Sequence, residues 1–500
     1  MTMDNTESSA AFNAVVTCLS IGVKEFIICS GARNAAIISA ITSLKGVRVY
    51  NHPEERSASF FGLGRAIIKQ EPVAVVTTSG TAVAELLPAV IEGHYQAVPL
   101  VLLTADRPVR FWGTGAPQAI FQNDLFGVYA EKVITEWNYR RPLHINLPLE
   151  DPSSAQFQRG DLPVLDYDNV AREMPADKED TVMLQEFLNR SKRCMVFVGS
   201  LPFSWREVVS DFLERLNVPV LAEATSGIRE EFPPCTLVNH PDSILRIGGV
   251  PSSRLWRDLE EKPEVEVFSV SPNGLPGLAR ESSVVTAPSW QALEVPKTCH
   301  LGEVCANAHE EIFSKYPLSE HSWIRRLSEC MPEKSLVFLG NSQPVREWDI
   351  AATRLNRGLK CFANRGVNGI DGCLSTFLGL SADERESWAL VGDLTTLYDL
   401  AGPWIVGQLP QSNRRIVVIN NGGGRIFRRL PALTNFSATQ MQMVENAHSL
   451  KFKGWAEMWG MDYRKVTRLN DLESLPDGLL LIELFPDLEQ SDSFWRALNK

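Results

Sequence analysis

The sequence predicts an α/β protein of three consecutive units, each a parallel sheet flanked by helices. Three observations carry that reading. Short apolar runs alternate with amphipathic, helix-like stretches along the whole chain, the pattern of parallel strands joined by helical crossovers. The runs fall into three groups, parted by polar or irregular stretches. Finally, 500 residues are too many for one hydrophobic core, and three domains are the expectation.

In the first unit, strands are expected at 25–29, 73–77, 99–104 and 144–147, with helices over 34–44 and 81–95 between them. From 150 to about 180 the sequence is polar and rich in Pro and Asp, which predicts a linker. The second unit carries strand signals at 194–199, 218–222, 244–248 and 264–270 and closes on an irregular stretch over 282–315. The third has them at 335–339, 360–363, 387–391, 415–419 and 479–484. The resulting domains are 1–165, 181–315 and 316–500.

Apolar content of 44% and charged content of 22% are those of an ordinary soluble protein. No apolar run is long enough to span a bilayer, and Met1-Thr2-Met3-Asp4-Asn5 lacks the basic start of a secretion signal. Nine cysteines with no CxxC pair fit reduced thiols, so a cytoplasmic location is expected. Cys299-His300 with Cys305 lacks the second pair of a zinc site and predicts only surface linker. A net charge of -11 argues against non-specific nucleic-acid binding, though not against small anionic substrates held by local arginines.

Two strand ends carry the chemistry. Trp388-Ala389-Leu390-Val391 stops on Gly392-Asp393, and Ile416-Val417-Val418-Ile419 stops on Asn420-Asn421-Gly422-Gly423. In a parallel sheet this brings oxygen donors to the carboxyl ends of two strands. Asp393 offers a carboxylate, Asn421 an amide oxygen and Gly423 a backbone carbonyl. Hard oxygens with open positions suit Mg2+, or Mn2+ in its place, completed by a phosphate-bearing ligand. The rival reading is a pair of ordinary turns.

In the first unit, Glu54-Glu55-Arg56 leads into a helix of small and apolar residues. Carboxylates favour the positive end of a helix dipole, which would explain both glutamates. A functional reading singles out Glu55, which the following small and apolar residues could hold in a dry site. Thr77-Thr78-Ser79-Gly80-Thr81-Ala82 follows a strand and opens a helix, so Ser79 and Gly80 can hold a ligand on backbone N–H groups or simply cap the helix.

The Gly-Asp and Asn-Asn blocks resemble the thiamine diphosphate fingerprint, and further blocks narrow the resemblance. Glu54-Glu55-Arg56, Thr78-Ser79-Gly80-Thr81-Ala82, Leu103-Thr104-Ala105-Asp106-Arg107-Pro108 and Gly115-Ala116-Pro117-Gln118-Ala119-Ile120 are similar to motifs of the 2-succinyl-5-enolpyruvyl-6-hydroxy-3-cyclohexene-1-carboxylate synthases, thiamine diphosphate enzymes of menaquinone biosynthesis. So are Gly340-Asn341-Ser342 with Val345-Arg346, Asn364-Arg365-Gly366 through Ile370-Asp371-Gly372, Gly392-Asp393-Leu394 with Leu397-Tyr398-Asp399, and Asn420-Asn421 through Ile426-Phe427. Ser252-Ser253-Arg254-Leu255 is the one anchor in the middle unit.

The resemblance implies a three-domain thiamine diphosphate-binding fold with pyrimidine-binding, central and diphosphate-binding domains. It implies that Glu55 hydrogen-bonds the cofactor's aminopyrimidine and so promotes loss of the thiazolium C2 proton. Asp393, Asn421 and Gly423 would hold the metal against the diphosphate, Ile370 would bend the cofactor, and Ser342, Ile426 and Phe427 would line its site. The substrates would be 2-oxoglutarate, which is decarboxylated, and isochorismate, which accepts the remaining unit. Arg33, Arg107, Gln118, Arg254, Arg346 and Arg365 would bind these anions, the arginines because a planar guanidinium takes carboxylates bidentately. A homodimer or homotetramer follows, because in this superfamily the activating glutamate and the metal donors meet across a subunit interface. Ala32, Pro117 and Ser253 depart from the family's serine, asparagine and lysine, all on the substrate side. They favour, as the alternative, another thiamine diphosphate carboligase or 2-oxo acid decarboxylase with a different acceptor; a non-catalytic binder would have no need of Glu55.

Overall fold

The computed structural model describes residues 4–150, 176–234, 241–295 and 310–498, which divide into two compact units. The expected linker lies mostly outside the described residues, as does Cys299-His300 with Cys305.

The first unit joins the described residues up to 150 with Asp371–Asp383 and Tyr398–Pro410. Its strands are β1 (Glu25–Ile28), β2 (Arg48–Asn51), β3 (Val73–Thr77), β4 (Leu100–Asp106) and β5 (Leu143–Pro148), all parallel in the order β2-β1-β3-β4-β5. β1, β3 and β4 are buried throughout, as expected of strands covered on both faces. On one face Phe26, Val76, Val101 and Leu103 pack with Val15, Ile37 and Ile41 of the helices Asp4–Ser20 and Ala35–Ser43. On the other lies the helix Glu55–Lys69, whose Gly62 comes close to Ile27, Val75 and Leu100.

The helix Cys373–Leu380 crosses Glu55–Lys69 with backbone against backbone. A Cβ on Gly64 would fall on the Thr376 carbonyl, and one on Gly379 on the Phe61 carbonyl, so only glycine allows this approach. The crossing is flanked by buried polar links. Arg65 is fully buried and donates to both oxygens of Glu25, at 2.7 and 2.6 Å, and to Asp383 at 2.9 Å. Two helices, Thr81–Ala84 and Leu87–Tyr95, stand where one was expected. Pro88 has no N–H to continue the ladder, and its ring crowds the carbonyl four residues back.

The second unit contains two parallel sheets. One is formed by β6 (Cys194–Val198), β7 (Val220–Ala222), β8 (Ser243–Ile247), β9 (Glu266–Val270) and β10 (Ser283–Val285), in the order β10-β9-β8-β6-β7. The other comprises β11 (Leu336–Leu339), β12 (Lys360–Phe362), β13 (Glu386–Gly392), β14 (Asn413–Ile419), β15 (Asp462–Val466) and β16 (Leu479–Leu484), in the order β12-β11-β13-β14-β16-β15. Each has its own core, around Phe187, Phe212 and Phe268 in the first and Trp323, Trp348 and Val417 in the second. β2, β10 and β15 carried no strand signal in the sequence, and all three lie at a sheet edge. In β2 only Tyr50 is buried and in β15 only Val466, so neither has an apolar run to read.

Candidate active site

In the last sheet, adjacent parallel strands bring the expected metal donors to one edge. Gly392 of β13 pairs with Ile419 of β14, so Asp393 and Asn420-Asn421 emerge side by side. Asp393 is buried, and its Oδ2 accepts the N–H groups of Gly422 at 2.8 Å and Gly423 at 3.0 Å. Those bonds require the loop to turn back, and both glycines have positive φ, +82° and +127°. Burial raises the Asp393 carboxyl above its ordinary range, against the pull of these N–H groups and of His448. His448 Nδ1 accepts the Leu450 N–H, and its Nε2 lies 3.4 Å from Asp393 Oδ2.

The two asparagines divide their work. Asn420 turns inward and donates to Glu483 at 2.6 Å and to the Leu450 carbonyl at 2.9 Å. Asn421 donates its amide to Glu320 at 2.6 Å, which leaves its Oδ1 buried with no hydrogen-bond partner. An unpaired buried amide oxygen is costly unless something occupies its lone pairs. Beside a carboxylate and the Gly423 carbonyl, which accepts one N–H from Arg425 at 2.8 Å, the donor set fits a hard divalent cation. Among the described residues there is no cluster of three or more His, Cys, Asp or Glu side chains suited to a metal.

The same edge collects the ends of β11 and β12. Asn341 donates to the carbonyls of Asn364 at 2.6 Å and Gly369 at 2.7 Å, and accepts from Arg365 at 3.0 Å, tying the loop that carries Ile370 to the end of β11. Ser342 sits at φ +73° and its carbonyl accepts from Arg346. Burial, then the nearby Arg365 cation, lowers the Arg346 guanidinium below its usual value. Ile426 and Phe427 are half-buried in the turn after Gly424. Arg254 stands apart from these. It is strongly exposed and pairs with Asp258 one helical turn on, while Ser253 caps that short helix.

In the first unit, the carboxyl ends of β1 to β4 lead to Arg33, Glu55, Ser79-Gly80 and Arg107 respectively. The glutamate pair is split by role. Glu54 is the N-cap and accepts the N–H groups of Arg56 at 3.1 Å and Ser57 at 2.9 Å, which accounts for it as a helix start. Glu55 is half-buried and has no side-chain partner among the described residues. Burial raises its carboxyl, with the Glu54 and Glu85 carboxylates adding to the effect. Gly80 adopts φ +87°, and a Cβ there would meet the Gln118 backbone at 3.1 Å; the Ser79 hydroxyl is buried and unpartnered. Arg33 donates to the carbonyls of Leu149 and Glu150, both at 2.8 Å. Arg107 donates to the Pro117 carbonyl at 3.0 Å and lies over the Phe111 ring, and Gln118 is exposed beside it.

Sequence reasoning passed over Glu320 and assigned no role to Asp399. Glu320 follows Ser319, the cap of the helix Glu320–Cys330, and in the sequence looks like any acidic residue in a first helical turn. Asp399 stood within a matched block, which was the available signal.

A family model described as thiamine pyrophosphate enzyme, N-terminal TPP binding domain, matches residues 10–125. The chain is 39% identical to the 2-succinyl-5-enolpyruvyl-6-hydroxy-3-cyclohexene-1-carboxylate synthase of Akkermansia muciniphila, covering 98% of each chain. It is 37% identical to the synthase of that name from Bdellovibrio bacteriovorus, covering 99% of each. A solved structure from Mycobacterium smegmatis, assigned to the thiamin diphosphate-dependent enzymes, superposes with a TM-score of 0.68 over 96% of this chain and 98% of that one. At 14% identity that likeness concerns the fold alone.

Proposed function

The chain belongs to the 2-succinyl-5-enolpyruvyl-6-hydroxy-3-cyclohexene-1-carboxylate synthase family, and from that premise we propose how its own residues perform the family's reaction. The enzyme is a thiamine diphosphate-dependent carboligating transferase of menaquinone biosynthesis. It decarboxylates 2-oxoglutarate and joins the remaining four-carbon unit to isochorismate. Similarity over nearly the whole of both chains is the observation that carries this reading. Thiamine diphosphate, when bound, supplies the electron sink for both the decarboxylation and the new carbon–carbon bond.

We assign Glu55 to the cofactor's aminopyrimidine ring. Burial raises its carboxyl, and Glu54, by taking the capping role, leaves the Glu55 side chain free to hydrogen-bond a ring nitrogen. Asp393, Asn421 and the Gly423 carbonyl are assigned to Mg2+, or Mn2+, holding the diphosphate; the unpaired Asn421 oxygen supports that reading. Ser79 and Gly80, with Ser342, Ile370, Ile426 and Phe427, line the cofactor's position. Arg33, Arg107, Gln118, Arg346 and Arg365 orient the anionic substrates, and Arg254 serves at the rim.

The domain limits at 165, 181 and 315 and a homodimeric or homotetrameric assembly belong to the same proposal. So does a cytoplasmic location. In support, Cys18, Cys29, Cys194, Cys330, Cys361 and Cys373 are free thiols, and no helix among the described residues is long and apolar enough to cross a membrane. The deciding experiment is incubation with 2-oxoglutarate, isochorismate, thiamine diphosphate and Mg2+, with the product identified by mass. An enzyme that releases CO2 from 2-oxoglutarate and never consumes isochorismate would lose this assignment.

A further inference from the structure

The orientation of Asn421 is set from behind. An asparagine side chain can present either its oxygen or its NH2 group in a given direction, and its partners decide which. Here the Nδ2 donates to Glu320 Oε1 at 2.6 Å, and the oxygen is therefore turned away from Glu320, buried and unpartnered. The Asn421 backbone is held too, because Arg425 Nε donates to its carbonyl at 3.1 Å.

Glu320 is itself immobilised. It is buried, and its N–H donates to the Ser491 hydroxyl at 3.0 Å. Its carboxylate lies 3.6 Å from Arg429, which also reaches Glu347 at 3.4 Å and lies over the Trp495 ring at 4.6 Å. A role at the helix N-terminus would be served equally by an exposed carboxylate. It does not explain why two carboxylates are buried around one arginine, an arrangement that costs desolvation.

We propose that Glu320 is a positioning residue for the metal. By accepting from Nδ2 it keeps the Asn421 amide oxygen facing the cation. This rests on the reading of Asp393, Asn421 and Gly423 as the metal donors. Partners of this kind, one bond removed from the ion, orient its ligands, and their loss typically weakens metal binding about 10–100-fold. Arg429 retains Glu347 when Glu320 is neutralised, so the substitution strands no cation.

The test measures Mn2+ binding in the presence of thiamine diphosphate by the electron paramagnetic resonance signal of free Mn2+, beside the melting temperature of each metal-free chain. Glu320→Leu fills the space with an apolar side chain and removes the acceptor, and should raise the Mn2+ dissociation constant about 10–100-fold. Glu320→Ala takes its place if the Leu chain does not fold. Glu320→Gln retains an acceptor oxygen and should bind Mn2+ nearly as the wild type does. In an Asn421→Ala background, removing Glu320 should cost nothing further, since the two act through one bond. If Asn421→Ala weakens Mn2+ binding and Glu320→Leu does not, the positioning role is overturned. So it is if the Gln chain loses as much as the Leu chain, or if Glu320→Leu weakens binding equally with and without Asn421. Unchanged Mn2+ binding in Asn421→Ala would instead remove the metal assignment beneath it.

Discussion

The carboxylate of Asp399 accepts from the Ser57 hydroxyl at 3.0 Å, two residues beyond Glu55. It also takes the N–H and hydroxyl of Ser375, at 2.6 and 2.8 Å, in the first turn of the helix Cys373–Leu380. One fully buried side chain therefore fixes the first turns of two helices distant in sequence. The helix that begins on Glu55 starts where it does partly because Asp399 holds it there.

Asp399→Ala leaves two hydroxyls and an N–H without their acceptor. Stability should fall by about 2–3 kcal/mol, the cost of unsatisfied buried donors. Asp399→Asn keeps one acceptor oxygen and should lose less. Chemical denaturation of the three chains, compared by midpoint and slope, checks this.

Glu55→Gln should bind thiamine diphosphate nearly normally, because the amide preserves size and the cofactor's other contacts remain. Turnover should drop by about 10²–10⁴-fold, the usual contribution of a proton-transfer partner. Calorimetric titration and steady-state rates give the two halves of the result. Near-normal turnover would remove the role from Glu55.

Arg107 holds its place through the Pro117 carbonyl and the Phe111 ring. In Arg107→Ala a charge-assisted contact worth about 1.5–3 kcal/mol disappears, and the KM for isochorismate should rise by about one to two orders of magnitude. The dependence on 2-oxoglutarate should change less, because decarboxylation precedes entry of the acceptor. Rates with each substrate varied in turn separate these effects.

Acid should weaken the first unit through His144. Burial pushes its imidazole down to about 4, and its Nε2 is hydrogen-bonded to the Thr104 hydroxyl at 2.8 Å. The folded chain keeps this ring neutral, whereas the unfolded chain protonates it below about pH 6.5. Unfolding thus takes up a proton between about pH 6.5 and 4, and stability is lost as the pH falls through that window. Melting temperatures from pH 7 to 4 should decline less steeply for His144→Gln than for the wild type.

Much of this was legible in the sequence, for a definite physical reason. Central strands β3 and β4 are buried throughout and β14 in all but its first residue, and each carries a continuous apolar run. β2 and β15 are edges with one buried residue each, and leave no such trace. At the site, Asp393 and Asn421 were readable because they end two apolar runs. The separate duties of Glu54 and Glu55 were not, since capping depends on side-chain geometry that Glu-Glu does not encode. Glu320 was hidden for the same reason, because its partner lies a hundred residues away in sequence.

The first unit also sets a schedule for its own completion. Its sheet is finished by residue 148, yet the helix whose glycine meets Gly64 ends only at Leu380, and Asp399 comes later still. During translation the N-terminal sheet emerges long before the segments that cover it, and the Phe60 ring must wait for Gly372. Contacts between such distant residues are slow to form and leave apolar surface open to aggregation meanwhile. A fragment cut after the first sheet would keep every strand and still lack its lid, and trimming the gene at that boundary should give an insoluble product.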